Sequence, residues 1–164
     1  MRRAKSQNNE HLYRARGIAN YQFSDTIGDQ LFPDDCEVEI SKRSGRLRQI
    51  LRNSQVLATV RANDGRLVLT IAGAQRLHTL VAFPKLRVIV QQQVASFIGE
   101  GRSVFAKHVK DLDPRLRAGD EVLVVDEEDV LLAVGTAHLS PVEILDLSRG
   151  VAVKTRHSIK RRAK

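Results

Sequence analysis

Tryptophan is absent from these 164 residues, and aromatic side chains of every kind make up only 4% of the chain. A sequence so poor in rings offers no extended stacking surface, so a ligand must be held mainly by charge and backbone. Cysteine occurs once, at Cys36, which excludes an internal disulfide and any zinc site built from several cysteines. Its neighbours Asp35 and Glu37 supply no cation to lower the thiol pKa, so a nucleophilic role is not expected. No apolar run approaches the roughly 20 residues of a membrane span. The Met1-Arg2-Arg3-Ala4-Lys5 start is followed by Ser6-Gln7-Asn8-Asn9-Glu10 rather than an apolar stretch, so no signal peptide is read there. A reducing, cytoplasmic compartment and no membrane are the expectation. The histidines, at 11, 78, 108, 138 and 157, show no metal-ligand spacing, so neither a metal nor another cofactor is expected.

Positive charge is abundant. Lys and Arg number 27 against 19 Asp and Glu, a formal net charge of +8, in an otherwise ordinary globular composition with 42% hydrophobic residues. The excess is segregated. Lys42, Arg43, Arg46, Arg48, Arg52, Arg61 and Arg66 share one stretch whose only acid is Asp64, and no acid follows Asp146 in the closing run Arg149 to Lys164. Acids concentrate between them, at Asp111, Asp113, Asp120, Glu121 and Asp126 to Asp129. Such separation of sign points to a directional anion-binding surface and a polyanionic partner. The adjacent acids at 126–129 read as a solvated loop rather than a paired-carboxylate catalytic site.

The period of the apolar residues divides the chain into two units. A polar arm over 1–8 precedes a helix from Asn9 to about Phe23, then a short turn ends before Pro33. Alternation at Cys36, Val38 and Ile40 marks a strand, and further strands follow at Leu47–Leu51, Val56–Val60 and Leu67–Ile71, with Ser44-Gly45 and Asn63-Asp64-Gly65 as turns. A helix over 72–82 completes an α+β domain at 1–84. In the second domain, 85–164, short strands at 86–90, 104–106, 122–125, 130–134 and 151–153 have the spacing of a small barrel. A helical turn is expected over 94–98, and Ser140-Pro141-Val142-Glu143 is a capping box opening a helix to about Leu147. Residues 159–164 form a basic tail.

Four blocks of the second half, Gly101-Arg102-Ser103-Val104-Phe105-Ala106-Lys107-His108-Val109, Ala118-Gly119-Asp120-Glu121-Val122-Leu123-Val124-Val125, Leu132-Ala133-Val134-Gly135-Thr136-Ala137 and Gly150-Val151-Ala152-Val153-Lys154, together resemble a PUA domain, an RNA-binding pseudo-barrel. In the first half, Ala19-Asn20-Tyr21-Gln22-Phe23, Leu31-Phe32-Pro33 and Glu39 to Arg46 resemble the domain preceding PUA in archaeal tRNA-guanine transglycosylase. The resemblance implies an α+β pre-PUA domain followed by a PUA-type β pseudo-barrel, standing apart from the family's large catalytic barrel and its cysteine-rich zinc site. It further implies a noncatalytic tRNA-binding subunit of a split transglycosylase acting in archaeosine modification, with a separately encoded catalytic chain as partner. The rival reading is a PUA-containing translation or ribosome-biogenesis factor that binds tRNA or rRNA.

Against that background the candidate RNA-binding residues are Gly101, Arg102, Lys107, His108, Lys154 and Arg156 in the second unit and Lys42, Arg43 and Arg46 in the first. Gly101 lets backbone approach a phosphate or simply satisfies a turn. Lys154 and Arg156 alternate with Val153 and Thr155, which puts both cations on one face of the last strand. Lys42, Arg43 and Arg46 surround Gly45 in a turn that either grips phosphates or is merely solvated. Phe105 alternates with Val104 and Ala106, and a core position is expected for it rather than a stacking role. The two cationic clusters are expected to line up along one nucleic acid backbone.

Overall fold

The structure, a computed structural model, describes residues 2–160, with side chains from residue 8; the end of the expected basic tail, 161–164, lies outside the described residues. The chain divides into two compact units, residues 1–80 and 81–164. Among the described residues no helix is long and apolar enough to cross a membrane.

The first unit is a long helix on a four-stranded antiparallel meander. Helix α1 runs Arg2–Gln22 and the short α2 Gly28–Leu31; β1 (Glu37–Ile40), β2 (Leu47–Arg52), β3 (Gln55–Val60) and β4 (Leu67–Leu69) pair in chain order, and α3 spans Ile71–Leu80. The helix starts well before Asn9. Its first residues carry no apolar period, but Arg, Ala, Lys and Gln are good helix formers, so propensity rather than pattern held the signal. Leu12, Ala15, Ala19 and Phe23 recur at helical spacing and form its buried stripe.

Two amides fix α1 across the sheet. The Asn8 side chain accepts from Val38 N (2.9 Å) and donates to Cys36 O (3.2 Å), occupying the outer edge of β1. The Gln22 side chain does the same to β4, accepting from Leu67 N and donating to Leu67 O, both at 2.8 Å. Fourteen helical residues span about 21 Å, enough to cross four strands spaced by about 4.8 Å. Phe23 of the Tyr-Gln-Phe block is buried core, Gln22 is a backbone clip, and Tyr21 between α1 and solvent is 93% exposed. Strand β4 stops at Leu69 because Thr70 caps α3: its Oγ1 accepts from Gly73 N and donates to Val56 O. Between β2 and β3, Asn53 and Ser54 both take positive φ, the geometry of a two-residue hairpin.

The second unit is one curled six-stranded sheet. Its strands are β5 (Arg87–Val90), β6 (Val104–Phe105), β7 (Val109–Leu112), β8 (Glu121–Val125), β9 (Leu131–Ala137) and β10 (Val151–Ser158), in the order β6-β10-β9-β8-β5-β7, with α4 at Ala95–Gly99 and α5 at Pro141–Asp146. Only the 3₁₀ turn Ala106–His108 separates β6 from β7, the two outermost strands. A flat sheet would put those edges about 24 Å apart, five strand spacings, whereas four residue steps reach at most about 14 Å. The sheet must therefore close on itself, which makes the pseudo-barrel. Strand β7 is an addition to the expected set, which ended this stretch at 106; it pairs antiparallel with β5, and β5 also pairs parallel to β8. The capping box of α5 is present, with Ser140 and Glu143 bonded to each other's backbone N–H groups.

The acidic run at 126–129 forms a turn in which Glu127 and Glu128 are exposed, while Asp126 and Asp129 at its ends are held by the fold. Asp126 is buried and accepts from Glu128 N and Val130 N, and Glu127 pairs with Lys110. Asp129 pairs with Arg87, a guanidinium only 2% exposed that also donates to Val81 O and Lys85 O. The acids hold their own loop and anchor the start of β5.

Candidate nucleic-acid interface

Burial decides which side of the sheet can meet a ligand. Val104 and Val153 oppose each other across β6 and β10 and are both fully buried, so they face the barrel interior. Phe105 and Lys154, each next in sequence, lie on the outer face. Phe105 is 46% exposed, between buried Val104 and Ala106. The core position expected for Phe105 is therefore corrected: alternation was read properly, but the inward side belongs to its neighbours.

Lys154 is exposed and opposes Thr136 on β9, which in turn opposes Glu121 on β8. Arg156 reaches the same row by a different route. A bulge between Thr155 and His157 breaks the alternation, yet the guanidinium still turns to this face, where Nη2 donates to Thr136 Oγ1 (2.6 Å) and Nη1 donates to both Glu121 carboxylate oxygens (2.9 and 2.8 Å). The Glu121 side chain is 3% exposed and that of Arg156 31%. The two cations thus share a face, but they differ in duty: Arg156 neutralises a buried carboxylate, while Lys154 projects from the surface.

Gly101 sits in the left-handed region, with φ of 101°, so its turn requires glycine. Arg102 follows, exposed, its carbonyl accepting from Thr155 Oγ1 (2.9 Å), which ties the turn to β10 beside Lys154. Lys107 and His108 lie beyond the other end of β6, in the 3₁₀ turn, where Gln91 donates to both of their carbonyls. Lys107 points outward and His108 is half-buried. Phe105 is thus the exposed ring of β6, with exposed Arg102 three residues before it, exposed Lys107 two residues after it and exposed Lys154 on the neighbouring strand β10.

Gly135 makes this arrangement possible. A methyl group there would come within 2.3 Å of the Lys154 carbonyl oxygen, so β9 and β10 approach closely only because the side chain is missing. Gly135→Ala is expected to lower the stability of the second unit by roughly 1–3 kcal/mol through overpacking, read as a lower urea midpoint. An unchanged midpoint would mean that β10 shifts without strain.

In the first unit Lys42, Arg43 and Arg46 are exposed around Gly45, in the turn from β1 to β2. Among the described residues no three His, Cys, Asp or Glu side chains are placed to hold a metal ion. Cys36 is buried, and that burial, with Asp35 beside it, pushes the thiol pKa up, away from nucleophilic use.

Comparison with known proteins agrees with both units. Residues 13–84 match the family described as the patch-forming domain C2 of tRNA-guanine transglycosylase, and residues 86–159 match the PUA domain. The tRNA-guanine(15) transglycosylase of Methanothermobacter thermautotrophicus is 45% identical over 147 residues, which is 90% of this chain and 22% of that protein. That of Pyrococcus furiosus is 49% identical over 142 residues, 87% of this chain and 24% of the relative. The chain thus spans less than a quarter of the length of these two relatives. Among solved structures, a hypothetical protein of Pyrococcus horikoshii superposes with a TM-score of 0.72 at 22% identity, covering 93% of this chain and 92% of the other. A conserved PUA domain protein of Thermoplasma acidophilum does so with a TM-score of 0.60 at 19% identity, covering 94% and 91%. These two show the fold.

Proposed function

Because residues 13–84 belong to the C2 domain family of tRNA-guanine transglycosylase and residues 86–159 to the PUA family, we propose that this chain binds tRNA without catalysing its modification, and holds it for a separately encoded chain that exchanges the guanine, as in archaeosine formation. The observation that carries the reading is the exposure of Phe105 on β6 together with exposed Lys154 on the adjacent strand β10 and exposed Arg102 and Lys107 flanking β6 in sequence. A ring that offers a face to a base, with cations that meet phosphates, is the combination an unpaired RNA end requires. The named relatives act on tRNA and align with this chain over less than a quarter of their own length, which supports a binding rather than a catalytic share of the work. The two candidate nucleophilic or acid-base features in the sequence, Cys36 and the acids at 126–129, are both committed to the interior or to holding a loop.

Positioning is the whole of the mechanism. Phosphate contacts fix register without reading sequence, and a stacked terminal base adds about 1–3 kcal/mol of affinity. Such a module would raise the occupancy of tRNA on its partner and lower the KM for tRNA, leaving the chemical step to the partner. Guanine exchange on tRNA should be measured with the catalytic chain alone and with this chain added. A lower KM for tRNA at unchanged kcat is expected. Exchange indifferent to the added chain would remove the transglycosylase reading and favour a translation or ribosome-biogenesis factor.

A further inference from the structure

The first unit carries a groove that the outer face of the PUA domain does not explain. One wall is the stripe His11, Arg14, Ile18 and Tyr21 of α1, at helical spacing. The other wall is made by two turns that are copies of one another. In the first, Ser41 N donates to Arg46 O and Gly45 N to Ser41 O; in the second, Arg61 N donates to Arg66 O and Gly65 N to Arg61 O. Each has glycine at positive φ followed by Arg-Leu, as Gly45-Arg46-Leu47 and Gly65-Arg66-Leu67, twenty positions apart. In an antiparallel meander the β1–β2 and β3–β4 turns fall at the same end of the sheet, so the copies stand side by side facing α1.

The lining has two parts. A channel of about 820 Å³ is bordered by Arg14, Arg46, Arg48 and Arg61, with Asp64 as its one carboxylate. Asp64 is already engaged, accepting from Arg66 N (3.0 Å) and paired with Arg61 (3.1 Å), so the channel keeps an excess of positive charge. Among the described residues Arg14 pairs with Glu10 at the surface, an exposed contact worth little against a phosphate. Adjoining it is a second recess of about 500 Å³ where Ile18, Leu47 and the exposed ring of Tyr21 form an apolar shelf.

We propose that this groove binds an unpaired strand of RNA, the arginines of the channel holding consecutive phosphates and the Ile18–Tyr21 shelf receiving one splayed base. An apolar slot beside a basic channel matches a single nucleotide, which joins a flat base to an anionic backbone. A paired base would hide the faces that Tyr21 can reach, so a duplex fills the channel but leaves the shelf empty. Arginine rather than lysine suits both duties, because its planar fork grips phosphate in pairs of hydrogen bonds and stacks on rings. The inference rests on the RNA-binding reading above and adds a second site to it.

The test uses the full chain with tRNA carrying 5-iodouridine in place of uridine, cross-linked by long-wave light and mapped by mass spectrometry. Adducts are expected at Tyr21 in addition to those on the second unit, and they should be lost in the Arg14→Glu, Arg48→Glu double variant while the second-unit adducts persist. Both arginines are exposed, so circular dichroism should show an intact fold. Loss of two phosphate contacts should also reduce the slope of log K against log salt by roughly 1.4–1.8. Adducts confined to the second unit, with an unchanged slope in the double variant, would overturn the groove and leave the PUA reading standing. No binding and no adducts anywhere would overturn both.

Discussion

Arg156→Ala is expected to cost the second unit about 3 kcal/mol, the lower end of what breaking a buried ion pair costs when one charge is left behind. The charge left is Glu121, whose side chain is 3% exposed and whose two carboxylate oxygens both accept from Arg156 Nη1. The lower end applies because Arg156 itself is about one-third exposed and water enters where it leaves. Against a domain stability of roughly 5–15 kcal/mol, such a loss should move the urea midpoint visibly. Arg156→Lys retains the charge but not the fork, so it should fall between the two. Combining Glu121→Gln with Arg156→Ala should recover part of the loss, since the buried charge is then gone as well. If Arg156→Ala leaves the midpoint in place, the pair is not structural and Arg156 returns to the list of RNA ligands. The result also decides how binding data are read, because an Arg156 variant that loses RNA affinity will have lost it largely by loosening β8, β9 and β10.

Phe105→Ala is expected to weaken tRNA binding by about 1–3 kcal/mol, the worth of one base stacked on an aromatic ring, or roughly 5- to 150-fold in Kd. The side chain is almost half exposed between two fully packed neighbours, so folding should be little affected. Phe105→Tyr preserves the ring and should preserve most of the affinity. Lys154→Glu should act differently: it should weaken binding across all RNA sequences and flatten the salt dependence by about one phosphate contact. Titration of tRNA against the two variants at several salt concentrations separates stacking from charge. Equal affinity for wild type and Phe105→Ala would mean that the outer face of β6 is not where RNA lies.

Much of the architecture was legible because it is written locally. The change from helical period in α1 to alternation at Cys36, Val38 and Ile40, the glycine turns at 45 and 65, and the Ser140-Pro141-Val142-Glu143 box each depend on residues a few positions apart. What escaped depends on distant partners. Nothing near Gln22 announces that its amide will bond the backbone of Leu67, and nothing near Arg156 announces Glu121, 35 positions earlier. Alternation named the right neighbours at Phe105 but not which side would be interior, since that is set by β10 and the closure of the sheet. The bulge after Thr155 has no local mark either; only the extra residue in the register with β9 reveals it. The two glycine turns at 45 and 65 were legible one by one, but their likeness and their placing side by side depend on the meander that sets them at one end of the sheet.

The amides of Asn8 and Gln22 have one more effect. Exposed outer strands are templates onto which another chain can add by backbone pairing, and proteins guard them in various ways. Here a single helix guards both, since Asn8 takes backbone groups of Val38 on β1 and of Cys36 just before it, and Gln22 those of Leu67 on β4. A foreign strand would have to peel α1 from the sheet before it could join either side, so resistance of this unit to aggregation is tied to the same helix that forms its groove.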